Sequence, residues 1–293
     1  MMQVMQSVFE YYDWIMSERD PRSTSWFLMD SPWTTVAIVA LYLAFVVAGP
    51  RYMADKKPFA LKEVLVVYNF ALVCLSAYMF YEFLVTSWLK PGFNLVCSSM
   101  DYSNDRDAVR LAKVCWWFYF SKIIELLDTV FFVLRKKNNQ ISFLHVYHHS
   151  TMPLLWWVGV SFVPGGEAYL SASINCFIHT VMYLYYLLAA MGPHMQKYLW
   201  WKRYMTTLQL LQFWAILLHT GYAVTVTGSD WCTFPVGYGY ALILYDLSHL
   251  ALFSNFYYQT YVKKGRRQPS AETNHVTEVD GSVRAPRKVQ KAD

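Results

Sequence analysis

Long apolar runs alternate with short polar stretches from residue 33 to residue 261. The runs at 33–50, 65–89, 112–134, 141–163, 167–190, 204–227 and 236–261 each have the length a helix needs to cross a bilayer. Turn-forming residues separate several of them. Pro32 and Pro50 bracket the first, Val163-Pro164-Gly165-Gly166 ends the fourth, and Met191-Gly192-Pro193 ends the fifth. None of the runs carries the charged face that a helix in a water-soluble bundle needs. The pattern predicts an all-α membrane protein with seven transmembrane helices over 33–262. A segment 1–32 precedes them and a polar tail 263–293 follows.

Composition supports the membrane reading and adds an orientation. The chain is 56% hydrophobic and 15% charged, against about 25% charged in an ordinary soluble domain. The net charge of +5 is too modest and too localised for nucleic-acid binding. Arg51, Lys56, Lys57 and Lys62 follow the first run, Arg135, Lys136 and Lys137 the third, Lys197, Lys202 and Arg203 the fifth, and Lys263, Lys264, Arg266 and Arg267 the seventh. With seven spans these clusters share one side. The positive-inside rule makes that side cytosolic, with the N-terminus across the membrane in the lumen. Residues 1–30 lack the basic start and apolar core of a secretory signal, so insertion is expected to rely on the first span. The tail has no apolar period and reads as disordered; Lys291 gives it a partial dilysine retrieval signal. Of the five cysteines, Cys97 and Cys232 fall in the two loops on the lumenal side, where a disulfide is expected. No internal repeat, Gly-rich phosphate loop or zinc-type cysteine pair occurs.

Polar residues inside the runs carry the functional information. The third run holds Lys122, Glu125 and Asp128 at steps of three, and the fourth holds His145, His148 and His149. The fifth holds Asn175, His179, Met182, Tyr183 and Tyr186, the sixth Gln209 and Gln212, the seventh Asp246, His249 and Asn255. Helix rise places Asp128 and His145 about 6–9 Å from the cytosolic ends, Tyr183 near ~10 Å, His148, His149 and Gln212 at about 11–12 Å, and Glu125 and His179 at about 14–16 Å. Agreement in depth between separate segments predicts one cavity opening to the cytosol. Isolated Asn255 and His219 read instead as helix-to-helix tethers.

Three chemistries fit such a cluster. Histidine boxes occur in metal-dependent lipid desaturases and hydroxylases, but those need more ligands than eight histidines, several of them isolated, provide. Imidazole can act as a covalent acyl acceptor, with Cys176, three residues before His179, as a rival nucleophile. A non-enzymatic seven-helix receptor or transporter is the third reading. Short cytosolic loops speak against the receptor, and the absence of paired half-repeats against the transporter.

In order and spacing, Lys122-Ile-Ile-Glu125-Leu-Leu-Asp128-Thr129, His145-Val-Tyr-His148-His149, Asn175-Cys-Phe-Ile-His179-Thr-Val-Met182-Tyr183-Leu-Tyr185-Tyr186 and Thr206-Thr-Leu-Gln209-Leu-Leu-Gln212-Phe213 resemble the four signature boxes of the fatty acid elongase family. The resemblance covers roughly residues 25–262. Tyr147 and Asp101-Tyr-Ser-Asn lean toward the subgroup acting on very-long-chain and polyunsaturated acyl groups. The resemblance implies a 3-oxoacyl-CoA synthase of the endoplasmic reticulum membrane, which condenses acyl-CoA with malonyl-CoA and releases CO₂ and CoA. It implies six of seven helices around an acyl tunnel closed toward the lumen, no metal or organic cofactor, a homodimer, and association with the other elongation-cycle enzymes. His148 would accept the acyl group, with His179 close to the reacting carbonyl. His145, His149, Lys122, Glu125 and Asp128 would complete the catalytic set. His149, Asn175 and Gln212 are candidate donors to the developing enolate. Met182, Tyr183, Tyr186 and Gln209 would touch substrate, and Lys136, Lys137, Lys202 and Arg203 could meet the CoA phosphates.

Overall fold

A computed structural model describes residues 2–229 and 232–263. Among these residues the chain is all helix and turn, with no strand. The helices are α1 (Met2–Ser17), α2 (Pro32–Tyr52), α3 (Lys62–Phe83), α4 (Arg106–Ile124), α5 (Leu127–Leu134), α6 (Phe143–Phe162), α7 (Ala168–Met191), α8 (Lys202–Val226) and α9 (Val236–Tyr257). Single π-helical stretches, Leu84–Trp88 and Tyr258–Lys263, prolong α3 and α9. The tail beyond Lys263, with its partial dilysine signal, lies outside the described residues.

Local chemistry sets the ends. Ser31 caps α2, its Oγ accepting from the Trp33 N–H, with Pro32 in the first turn where its missing N–H costs nothing. Ser142 caps α6 in the same way through the His145 N–H at 3.2 Å. After α6, Gly165 and Gly166 take φ of +124° and +49°, which lets the chain reverse into α7 within a few residues.

The sequence pattern differs from the structure at two places. The third apolar run, 112–134, is two helices. Asp105 caps α4 by accepting from the Asp107 N–H at 3.0 Å, so the helix begins at Arg106, in polar sequence. It stops at Ile124, where Leu126 and Asp128 donate to carbonyls three residues back rather than four, breaking the α-helical ladder at Glu125-Leu126. The segment 1–32 contains a helix, α1, that the pattern does not predict. A buried polar knot docks the link between α1 and α2. The Asp20 carboxylate holds the Arg22 guanidinium at 2.6 Å, the Asp20 N–H reaches Ser161 O at 2.7 Å, and Arg19 binds the Met29 carbonyl.

Four stretches, Pro32–Tyr52, Lys62–Trp88, Ala168–Met191 and Val236–Lys263, are long and apolar enough to cross a membrane. Large apolar side chains face outward along them, including Leu41 (71% exposed), Val67 (69%) and Leu244 (70%). In water such a surface would drive aggregation; in lipid it is the expected exterior. Of the other helices, α4 carries the buried Lys122, α6 carries His145, His148 and His149, and α8 carries Gln209 and Gln212.

Helix α3 packs along α7, α8 along α9, and α4 and α2 against α6. The largest apolar core gathers at the end away from the basic loops. There Met79 and Phe83 of α3 meet Val114, Phe118 and Tyr119 of α4, Trp157 of α6 and Tyr169 of α7. At the same end Cys97 and Cys232 form a disulfide with Cα atoms 5.8 Å apart, packed with Val163 and Phe234. Nearby, the Ser103 hydroxyl and N–H hold the Asp101 carboxyl below its usual range. The disulfide closes a 135-residue separation, so Cys97→Ser should cost about 2–4 kcal/mol of stability. A lower melting temperature and loss of the oxidised band on a non-reducing gel would show it; an unchanged band would refute the linkage.

Candidate functional site

Alongside the apolar core the bundle holds a cavity of ≈790 Å³. Along α8 its wall runs from Lys202 to Thr220, about 27 Å by helix rise. It therefore crosses most of a bilayer's ~30 Å hydrocarbon depth. Lys202 and Tyr261 mark the basic end; Val163, Phe234 and Val236, beside the disulfide cluster, mark the other.

The break between α4 and α5 organises one wall. Lys122 donates to Glu125 Oε1 at 2.8 Å and to Oε2 at 3.2 Å, both side chains only 2% exposed. It also donates to Asn175 Oδ1 on α7 at 3.2 Å. Because the Asn175 carbonyl faces the ammonium, its NH₂ group is free to donate, and Asn175 lines the cavity. His179 Nδ1 lies 3.2 Å from Glu125 Oε1 and 3.4 Å from Lys122 Nζ. The carboxylate contact is the closer, and the ammonium protons are already directed at Glu125 and Asn175. The proton therefore belongs on His179 Nδ1, leaving Nε2 as an acceptor. Past the break, Asp128 Oδ2 accepts from the Tyr183 hydroxyl at 2.8 Å.

Helix α6 supplies the facing wall. His145 Nε2 meets Thr129 Oγ1 at 2.7 Å, and that hydroxyl also meets Tyr42 OH at 3.1 Å, so α2, α5 and α6 are tied at one level. The His145 and His149 ring centroids are 4.1 Å apart, those of His148 and His149 5.2 Å. Tyr147 turns the other way, to Ser248 of α9 at 2.9 Å, and Thr151 meets Tyr245 at 2.8 Å.

The cavity wall brings together most of the side chains singled out in the sequence: Glu125, Asp128, His145, His148, His149, Asn175, His179, Met182, Tyr183, Tyr186, Gln209 and Gln212. Gln209 is held by a 3.9 Å contact from Nε2 to Met182 Sδ. Lys122 lies behind this wall and acts through Glu125 and Asn175. Of the four basic residues, Lys202 alone is part of the wall. Lys136, at φ 55°, donates to the carbonyls of Ala54 and Lys56 and fastens the loop after α2. Arg203 donates to Tyr257 OH at 2.9 Å. Cys176 is buried in the apolar core cluster, outside the cavity wall. His219 reaches the Leu95 carbonyl at 2.8 Å, a tether between α8 and the loop before α4. Among the described residues no three His, Cys, Asp or Glu side chains are grouped to hold a metal ion.

Two wall residues were read from sequence as polar positions of the seventh run but given no catalytic or binding role there. Asp246 and His249 of α9 line the cavity, and the His249 ring lies 5.5 Å from that of His148. Their spacing of three within an apolar run marks a polar face, but nothing in the run says which helix that face meets.

Residues 27–269 match the sequence profile of the GNS1/SUR4 family. The chain is 48% identical over 267 residues to human very long chain fatty acid elongase 4, covering 91% of this chain and 83% of that protein. It is 50% identical over 252 residues to the mouse protein of the same name, covering 86% and 79%. Against rat very long chain fatty acid elongase 7 the figure is 45% over 265 residues, covering 90% and 93%.

Proposed function

The chain belongs to the GNS1/SUR4 family of fatty acid elongases, and on that premise we propose that it extends very-long-chain acyl-CoA by two carbons through an acyl group carried on His148. The observation that carries this reading is one cavity, deep enough for an acyl chain, with His148, His149 and His179 in its wall and Lys202 at its basic end.

The lone pair of a His148 ring nitrogen attacks the thioester carbonyl, the C–S bond breaks, and CoA leaves as a thiolate that takes up the proton the imidazole ring loses on acylation. The acyl-imidazole remains in the tunnel. Malonyl-CoA then loses CO₂, the enolate carbon attacks the acyl carbon as the C–N bond breaks, and the leaving ring nitrogen takes up a proton from solvent. The products are 3-oxoacyl-CoA and free His148. The Asn175 NH₂ group and Gln212 face the cavity as donors to oxyanion and enolate. His179 Nε2, its ring held by Glu125, is a proton acceptor at the same wall. Apolar surroundings keep water from the acyl-imidazole. No metal or organic cofactor takes part.

The same reading makes all seven long segments membrane spans, with the basic loops cytosolic and the N-terminus lumenal. It places the protein in the endoplasmic reticulum, with polyunsaturated chains among its substrates, a second copy of the chain as partner, and the other elongation-cycle enzymes nearby. The basic loops support the orientation.

Incubating purified protein with a long-chain acyl-CoA and no malonyl-CoA should leave an acyl adduct on the His148 peptide by mass spectrometry. Adding malonyl-CoA should discharge it to a product two carbons longer. An adduct on Cys176 would overturn the nucleophile; no adduct despite turnover would overturn the covalent route. Cys176→Ser, a change outside the cavity wall, should alter kcat by less than about threefold, because a buried structural cysteine contributes no thiolate.

A further inference from the structure

Among the described residues, two buried polar atoms of α9 beside the tunnel have no hydrogen-bond partner. Asp246 Oδ2 and His249 Nε2 make no hydrogen bond, on residues only 4% and 2% exposed. They lie three residues apart on α9, on adjoining turns of one face, and both residues line the cavity. His249 has a fixed proton. Its Nδ1 sits 3.0 Å from the Tyr245 carbonyl oxygen and donates to it, so Nε2 presents a lone pair. The ring stands 5.5 Å from that of His148. Asp246 lies about 4.5 Å further along α9, away from the basic end.

Buried polar groups without partners are rare, and where they border a ligand cavity a group on the ligand or a water can supply the bond. The chemistry of the two atoms narrows what that is. His249 Nε2 needs a donor. A methylene, a double bond, a ketone and an ether all fail, because none has a proton to give. A hydroxyl succeeds: it donates to Nε2, and its oxygen can accept from the Asp246 carboxyl if that is protonated.

Resting on the reading that an acyl chain threads this cavity, we propose that Asp246 and His249 form a recognition site for a hydroxyl group on the acyl chain, a few carbons from its thioester. Hydroxyacyl-CoAs are then preferred over unsubstituted acyl-CoAs of the same length.

The test compares kcat/KM, with malonyl-CoA present, for one saturated acyl-CoA and a series of its isomers bearing a single hydroxyl at successive carbons near the thioester. One or two adjacent positions should exceed the unsubstituted chain by about tenfold, the worth of one buried hydrogen bond. The preference should collapse to about unity in Asp246→Leu and in His249→Phe, either variant serving if the other fails to fold. Elongation of the unsubstituted chain with no favoured hydroxyl position would overturn the proposal while leaving the elongase reading intact; the two atoms would then hold water. A preference that survives both substitutions would overturn the assignment to these residues. No elongation of any chain would sink the elongase reading and this inference with it.

Discussion

Replacing His148 with alanine should lower elongation by about 10³-fold or more and abolish the acyl adduct, with the melting temperature nearly unchanged. The kinetic part follows from the covalent route: removing a nucleophile leaves only binding and oxyanion stabilisation, and single losses from such sets cost several orders of magnitude. The structural part follows from what surrounds the ring. His148 touches His149 and His249 edge-on, with centroids 5.2 and 5.5 Å away, at a cavity wall. Truncation there enlarges an existing space rather than opening a void in packed core. His145→Ala is the contrasting variant. It removes the 2.7 Å contact to Thr129 that helps tie α2, α5 and α6 together. Its effect should divide between stability and rate. Should His148→Ala retain more than about a tenth of parental turnover, the nucleophile would lie elsewhere.

The largest effect on stability is expected at Glu125. Glu125→Ala should destabilise the protein by about 3–5 kcal/mol, because the Lys122 ammonium would be left buried with its carboxylate gone. Lys122 is 2% exposed and would keep Asn175, the 3.4 Å contact with His179 Nδ1 and the cation–π contact with Phe118, whose ring centroid is 4.3 Å away, none of which carries the missing negative charge. The double variant Lys122→Met/Glu125→Leu, which removes both charges, should melt above Glu125→Ala. Thermal unfolding of the three proteins in one detergent measures this, and a double variant less stable than the single would refute the desolvation argument. Glu125→Gln adds a catalytic readout. The amide oxygen can still accept from His179 Nδ1, at present 3.2 Å away, so this variant should lose less activity than Glu125→Ala at equal amounts of folded protein.

Much of the architecture was legible before any coordinates. The membrane character, the seven long segments and the polar residues on five of them follow from composition and hydrophobic run length. These are properties of short windows of sequence, and lipid enforces them because every backbone polar group must be satisfied within its own helix. The family, too, was legible, since four boxes in fixed order identify it without structure. Other features were hidden for definite reasons. The break at Glu125-Leu126 falls where no proline or glycine announces it; it accompanies a pair whose partners, Asn175 and His179, lie on another helix. Helix α1 has too short and too polar an apolar pattern to read as a span.

Run length, composition and the four boxes suffice to give a helical membrane protein of the elongase family, and they predict its histidines in the cytosolic half of the bilayer. Tertiary structure alone decided which polar groups share the cavity and which do not. It placed Lys202 in the wall but turned Lys136 to the Ala54 and Lys56 carbonyls and Arg203 to Tyr257. It also put Cys176 in the core, brought His249 beside His148 and set Asp246 in the same cavity wall. The reason is physical. Helical periodicity fixes which side chains share a face of one helix, but the facing of two helices distant in sequence is set by how their side chains pack.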